Sequence, residues 1–181
     1  MQGVIETGQH STAENGSPGD MDFVPGIRNT VRALIIKGDH VLLLEKSGAG
    51  DSLRYALPGG GQDLGETLEQ ALQRECLEEI GASVRLCELL HVADFFRVKE
   101  IEPPLKRHLV EFVFLCQLPD DYSPQNGHHP DKSQIRVVWM PLDKLGNLTF
   151  TPHYLPACIT RFTNRVHQNH YLGEFNDDPS S

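Results

Sequence analysis

LPGGGQDLGETLEQALQRECLEEIGA, running from Leu57 to Ala82, reads as the end of a strand, a glycine loop, an amphipathic helix and a glycine stop. Thr67 with Gln70 predicts a capping box at the helix start, and Gly81 predicts a left-handed stop at its end. Leu72, Cys76 and Ile80 recur at i, i+4 and i+8 and predict a buried stripe. Glu75, Glu78 and Glu79 stand at i, i+3 and i+4 on a second face, roughly a quarter turn from the stripe at about 3.6 residues per turn. Like charges at that spacing repel by on the order of a few tenths of a kcal/mol per pair. A helix made only for packing has no use for them, and a bound cation reverses the sign.

Working outward, Thr30 to Lys37 and Val41 to Lys46 are β-rich runs joined by Gly38-Asp39, a hairpin signal. Ser47 to Ser52 reads as a loop, followed by a short strand through Tyr55-Ala56-Leu57. After the helix, Val84 to Ala93 and Arg107 to Gln117 read as strands, the second apolar almost throughout. Arg97 to Lys106 reads as a polar loop between them, and Leu118 to Ser133 as a long, turn-rich one. A strand at Ile135 to Met140, a helical turn at Leu142 to Leu145 and a helix from about His153 to Val166 follow. The stretch up to residue 22 is polar and aperiodic and reads as a disordered leader, leaving residues 23–181 as a single domain whose tail frays. This order predicts an α/β (α+β) sandwich on a mixed sheet.

Composition narrows the function. A chain of 181 residues with 39% hydrophobic and 23% charged residues fits one ordinary globular domain. Its net charge of −9 argues against gripping a nucleic-acid backbone, while leaving room for small anions bound through a metal. No apolar run approaches the roughly 18 residues of a membrane helix. Four cysteines without a Cys-x-x-Cys pair predict reduced thiols and a cytoplasmic location.

Written as Gly60, five residues, Glu66, seven residues, then Arg74-Glu75-Cys76-Leu77-Glu78-Glu79-Ile80-Gly81-Ala82, the stretch resembles the signature of the Nudix hydrolases. Every polar and glycine position is filled, and two aliphatic positions hold the small apolar Cys76 and Ala82. The resemblance implies an α/β/α sandwich around a mixed β-sheet. It also implies Mg²⁺- or Mn²⁺-dependent hydrolysis of a nucleoside diphosphate linked to another moiety, such as an NDP-sugar or an ADP-ribose-like molecule, or of a nucleoside triphosphate. By similarity Glu75, Glu78 and Glu79 are metal ligands, helped by the carbonyl of Gly59. Arg74 and Glu66 form a supporting ion pair, and one of the helical glutamates or a loop acid is the general base. Hard carboxylate oxygens beside a diphosphate suit these cations. A homodimer is one assembly left open.

Four rival readings meet the same residues. Gly60 and Gly65 before Glu66-Thr67 match most of a P-loop, but Glu66 takes the place of its lysine and would repel phosphate. A solvated acidic face leaves Gly59, Gly60, Gly61, Glu66 and Arg74 unexplained, and the acid alternation of a calcium-binding loop is absent. A catalytically idle Nudix domain that binds a nucleotide and regulates is the functional alternative, against which the intact glutamates argue.

Beyond the stretch, Arg32, Arg54 and Lys46 are candidate phosphate contacts, and Phe95 or Phe96 a candidate platform for a base. Glu111, a lone acid in an apolar strand, is paired, edge-exposed or functional. Asp131 and Gln134 precede a strand where such enzymes place substrate or catalytic groups, and His128-His129 are assigned to solvent. Phe96 to Glu100 holds neither the proline nor the tyrosine often carried there by family members that cut ADP-ribose or dinucleoside polyphosphates, which weighs against both substrates.

Overall fold

The hairpin signal at Gly38-Asp39 is where the sheet begins. The computed structural model describes residues 22–48, 50, 52–99, 101–167 and 169–177. The leader up to residue 21, the chain end from 178 and loop residues 49 and 51 lie outside the described residues. β1 (Arg28–Lys37) turns through Gly38, with φ +62°, into antiparallel β2 (His40–Ser47). β3 (Leu53–Ala56), α1 (Leu68–Ile80), β4 (Arg85–Lys99), β5 (Leu105–Gln117) and β6 (Gln134–Pro141) follow. A 3-10 turn at Leu142–Asn147, α2 (Leu155–Thr163) and β7 (Tyr171–Asp177) complete the order. The mixed sheet runs β3-β2-β1-β5-β4-β7, with β6 on β2.

Alternation along the strands makes two cores. Val31, Ala33 and Ile35 of β1 and Leu42 and Leu44 of β2 pack against Ala71, Leu72, Cys76 and Ile80 of α1. Leu34, Val41 and Leu43 face the other way, toward Leu155, Cys158 and Ile159 of α2. A period of two on the strands meets the helical stripe on either side, and the result is the α/β/α sandwich. The capping box is present: Gln70 N–H donates to Thr67 Oγ1 at 3.2 Å, and Thr67 N–H to Gln70 Oε1 at 2.8 Å. Gly81 closes the helix at φ +66°, the left-handed region that suits glycine.

Several boundaries differ from the sequence reading. β4 continues through Phe95, Phe96 and Arg97 to Lys99, because it pairs antiparallel with β5 over its whole length. The loop expected at Arg97 to Lys106 shrinks accordingly. α2 is shorter than expected: Pro156 sits in its first turn, and Arg165 just beyond it adopts φ +55°. The tail forms β7, parallel to β4, with Val92 opposite Tyr171 and Phe95 opposite Phe175. Parallel pairing needs a distant partner, so the tail's own composition gave no sign of it.

One irregularity positions the site. β1 and β2 pair only beside their turn, at Ile36↔Val41 and Lys37↔His40. Further along, β3 pairs with β2, and the chain leaving β3 then pairs with β1. Ala33 N–H donates to Pro58 O at 2.8 Å and Val31 N–H to Gly60 O at 2.9 Å. The glycine loop is therefore laid along β1 in the fork of the sheet.

Candidate active site

In extended chain, alternate residues point their backbone groups to opposite sides. Pro58 and Gly60 give their carbonyls to β1, so the N–H and C=O of Gly59 turn the other way. Its N–H donates to Glu79 Oε2 at 2.8 Å, and its carbonyl accepts a short hydrogen bond from Arg32 Nη1. Only glycine fits: φ is +131°, and a Cβ would stand 2.0 Å from Val31 O. At Gly60 a Cβ would fall 2.5 Å from the carboxylate of Glu75, so this backbone also lies directly against an acid of α1.

Arg74 organises the acids. Its Nε and Nη2 meet Glu66 Oε1 and Oε2 at 2.7 and 3.0 Å, and Nη2 also donates to Gly61 O at 2.9 Å. Nη1 faces Glu75 Oε1 at 2.8 Å and Glu78 Oε2 at 3.4 Å. One guanidinium thus fixes the loop and offsets repulsion along the helix face. The Arg74 contact, with the Asp63 N–H, holds the Glu66 carboxyl down to about 2. Glu79 behaves oppositely: it is 4% exposed, and burial pushes its carboxyl up to about 7 against the pull of Gly59 N–H, Lys46 and Arg32.

The long loop after β5 fastens the end of α1. Gly127 N–H donates to Glu79 O and His129 N–H to Glu78 O, each at 3.0 Å. Tyr122 OH reaches Ile80 O at 3.0 Å and Gln134 Nε2 reaches Glu79 O at 2.7 Å. These bonds satisfy helix-end carbonyls in a last turn that carries no basic residue. Gly127 is pressed so close that a Cβ would be 2.3 Å from Glu78 O. The loop thereby delivers His129 and Asp131 to the site.

Together these elements enclose a cleft of about 340 Å³. Glu75, Glu78, Glu79 and Asp131 line it with Arg32, Lys46, Arg54 and Arg97. Lys46 Nζ pairs with Asp131 Oδ2 at 2.7 Å, whereas Arg54 and Arg97 form no ion pair among the described residues. Anionic and cationic walls face one cavity, the division of labour that a cation and a phosphate chain require.

Of the sequence candidates, Arg32, Lys46, Arg54 and Asp131 line the cleft with the three glutamates and Gly59. Phe95 is 1% exposed and packs edge-on against Tyr154 in the core, so it offers no face to a base. Glu111 is fully buried beneath the cleft, bonded to Arg32 and Tyr154, and touches no ligand space. Gln134 bonds the helix end and Asn126, outside the cleft lining. His129, assigned to solvent, lines the cleft, and so does Arg97, expected in a loop. Arg97 is exposed and stands two residues after the buried Phe95, on the same face of β4, and that period of two was the available signal for the arginine.

Among the described residues, no three His, Cys, Asp or Glu side chains already converge as a metal cluster. The donors nevertheless suit a hard divalent ion: three helical carboxylates, with the Gly60 backbone leaving the Glu75 carboxylate room that a Cβ would fill.

Fold and site together define an α/β/α protein that brings a carboxylate-bearing helix, a glycine loop and a cationic wall to one cleft. The NUDIX domain family model matches residues 26–158, and the chain belongs to the Nudix family. An ADP-ribose pyrophosphatase from Methanocaldococcus jannaschii is 31% identical over 88 residues, 49% of each chain. The chain thus spans about half the length of that curated relative. A NUDIX hydrolase structure from Nitrosomonas europaea superposes with a TM-score of 0.61 at 24% identity, covering 78% of this chain and 92% of that one. An ADP-ribose pyrophosphatase structure from Streptococcus suis gives 0.55 at 17% identity, covering 83% and 98%. These likenesses establish the shared fold. No helix among the described residues is long and apolar enough to cross a membrane.

Proposed function

We propose that this chain hydrolyses the pyrophosphate linkage of a nucleoside diphosphate joined to another moiety, using Mg²⁺ or Mn²⁺. The observation that carries the reading is the meeting of Glu75, Glu78 and Glu79 with Arg54 and Arg97 across one cleft. The three glutamates would hold the cation, while the Gly59 carbonyl, expected beside them, is engaged by Arg32. When bound, the cation neutralises charge on the diphosphate and acidifies water. Arg74, locked on Glu66, sets the reach of Glu75 and Glu78. One of the helical glutamates, or the loop acid Asp131 on the same cleft, would take the proton from the attacking water. Arg54 and Arg97 would hold phosphate oxygens away from the acids. The reaction breaks one P–O bond of the anhydride and forms another to water oxygen, leaving two phosphate-bearing products.

The match to an ADP-ribose pyrophosphatase favours ADP-ribose-like substrates within this class, despite the absent proline and tyrosine in Phe96 to Glu100. The four cysteines form no disulfide among the described residues, which supports a reducing, cytoplasmic setting. The test is a panel of ADP-ribose, NDP-sugars and nucleoside triphosphates, scored for phosphate-bearing products with and without Mg²⁺. Turnover of at least one member, lost in EDTA and in Glu79→Gln, is expected. Binding without turnover across the panel would favour a nucleotide-binding regulator instead.

A further inference from the structure

Glu111 has no exposure at all, in the middle of a strand whose neighbours on the same face, Leu109 and Val113, are core residues. A carboxylate in such a place survives only with both oxygens engaged. Oε1 accepts from Tyr154 OH at 2.6 Å and Oε2 from Arg32 Nε at 3.1 Å. Tyr154 is braced in turn, stacked on Phe175 with ring centroids 4.1 Å apart. From this anchor Arg32 extends Nη1 to the Gly59 carbonyl, and the N–H of the same residue holds Glu79. Burial works against the Arg32 charge, but Glu111 first and Glu79 second raise its pKa above the ordinary value. The guanidinium is bonded to Glu111 directly and linked to Glu79 through the Gly59 peptide.

We propose that Glu111, braced by Tyr154, is a positioning residue that holds Arg32 off Glu79 and on the Gly59 carbonyl, so that the Glu79 carboxylate stays available to a divalent cation. The inference rests on the reading of Glu79 as a cation ligand. Remove Glu111, and the carboxylate left to compensate the buried guanidinium is Glu79. Arg32 then competes with the cation for the same oxygens. The anchor thus keeps the Arg32 guanidinium one peptide away from the Glu79 carboxylate.

The test is Mn²⁺ binding to the full chain, followed by the electron paramagnetic resonance of free Mn²⁺, with thermal melting alongside. Glu111→Gln is expected to weaken Mn²⁺ binding by about tenfold or more and Tyr154→Phe by about twofold, since a charged partner is lost in one and a single hydrogen bond in the other. Adding Arg32→Met to Glu111→Gln is expected to restore affinity to within about threefold of wild type, because the competing charge is gone. A purely structural role for Glu111 predicts the reverse, a further loss in the double variant. Wild-type affinity in Glu111→Gln, or a double variant that binds no better than Glu111→Gln, overturns the inference. If Glu111→Gln does not fold, Tyr154→Phe decides, and unchanged binding there overturns it. A wild-type chain that takes up no Mn²⁺ overturns the cation reading of the cleft together with this inference. A wild type that binds beside an unaffected Glu111→Gln overturns the inference alone.

Discussion

Arg74 and Glu66 meet at two points, 2.7 Å from Nε to Oε1 and 3.0 Å from Nη2 to Oε2, with the third nitrogen of the same guanidinium left to face Glu75 and Glu78. A lysine keeps the charge but has no planar fork to reach both sides at once. Arg74→Lys is therefore expected to lower Mg²⁺-dependent turnover by roughly 10- to 100-fold, as loss of groups that orient metal ligands does. Steady-state kinetics on the best substrate of the panel checks this, and a change under threefold would refute the orienting role.

Gly59 makes a prediction about stability. A methyl group there meets Val31 O at 2.0 Å in a backbone already at φ +131°. Gly59→Ala is expected to destabilise the fold by about 3 kcal/mol or more, since strain at such a position and the clash add. Urea unfolding measures it. A loss below about 1 kcal/mol would mean that the loop can leave β1 freely.

Two buried groups set opposing pH dependences in metal-free protein. His91 is 3% exposed, its Nε2 has no hydrogen-bond partner among the described residues, and burial lowers its pKa from 6.5 to about 4. The unfolded chain binds more protons between those values, so His91 stabilises fully above 6.5, and this contribution is lost as pH falls through 4. Glu79 is raised from 4.5 to about 7, so its contribution is present below 4.5 and lost as pH rises through 7. Each amounts to on the order of 3 kcal/mol, and between pH 5 and 6.5 they oppose one another. With EDTA present, wild-type stability should be nearly flat across that window. His91→Phe should become less stable as pH rises, and Glu79→Gln more stable. Urea unfolding at several pH values reads the three slopes, and parallel slopes would contradict the assignments.

Arg97 reaches the cleft from β4 and forms no ion pair among the described residues. If it holds a phosphate equally in the ground and transition states, Arg97→Ala should raise KM by about tenfold and leave kcat within about twofold. Arg54→Ala, on the neighbouring wall, should behave alike. A fall in kcat at unchanged KM would instead place these arginines at the reacting phosphorus.

The elements that local chemistry specifies were legible. Thr67 and Gln70 close a box within one turn, and Gly81 ends the helix in a conformation that other residues resist. Leu72, Cys76 and Ile80 announce a buried stripe by spacing, and the glutamates stand beside it for the same reason. β7 was not legible, because a strand parallel to β4 is defined by a partner some eighty residues away, as Val92 and Tyr171 are. His129 and Asp131 enter the cleft only because Gly127 lies against the end of α1, a contact between two surfaces that no window of sequence contains.

By itself, then, the sequence determined the helix, its caps, the acids it carries and the glycines that let a backbone approach them. Each of these follows from interactions among residues within a few positions of one another. Only the tertiary structure decided what Arg32 and Glu111 do. They are 79 residues apart in the chain and are brought to 3.1 Å by the parallel pairing of β1 with β5. A lone buried acid can be read from its strand, but its partner, and hence its role beneath Glu79, depends on which strands become neighbours.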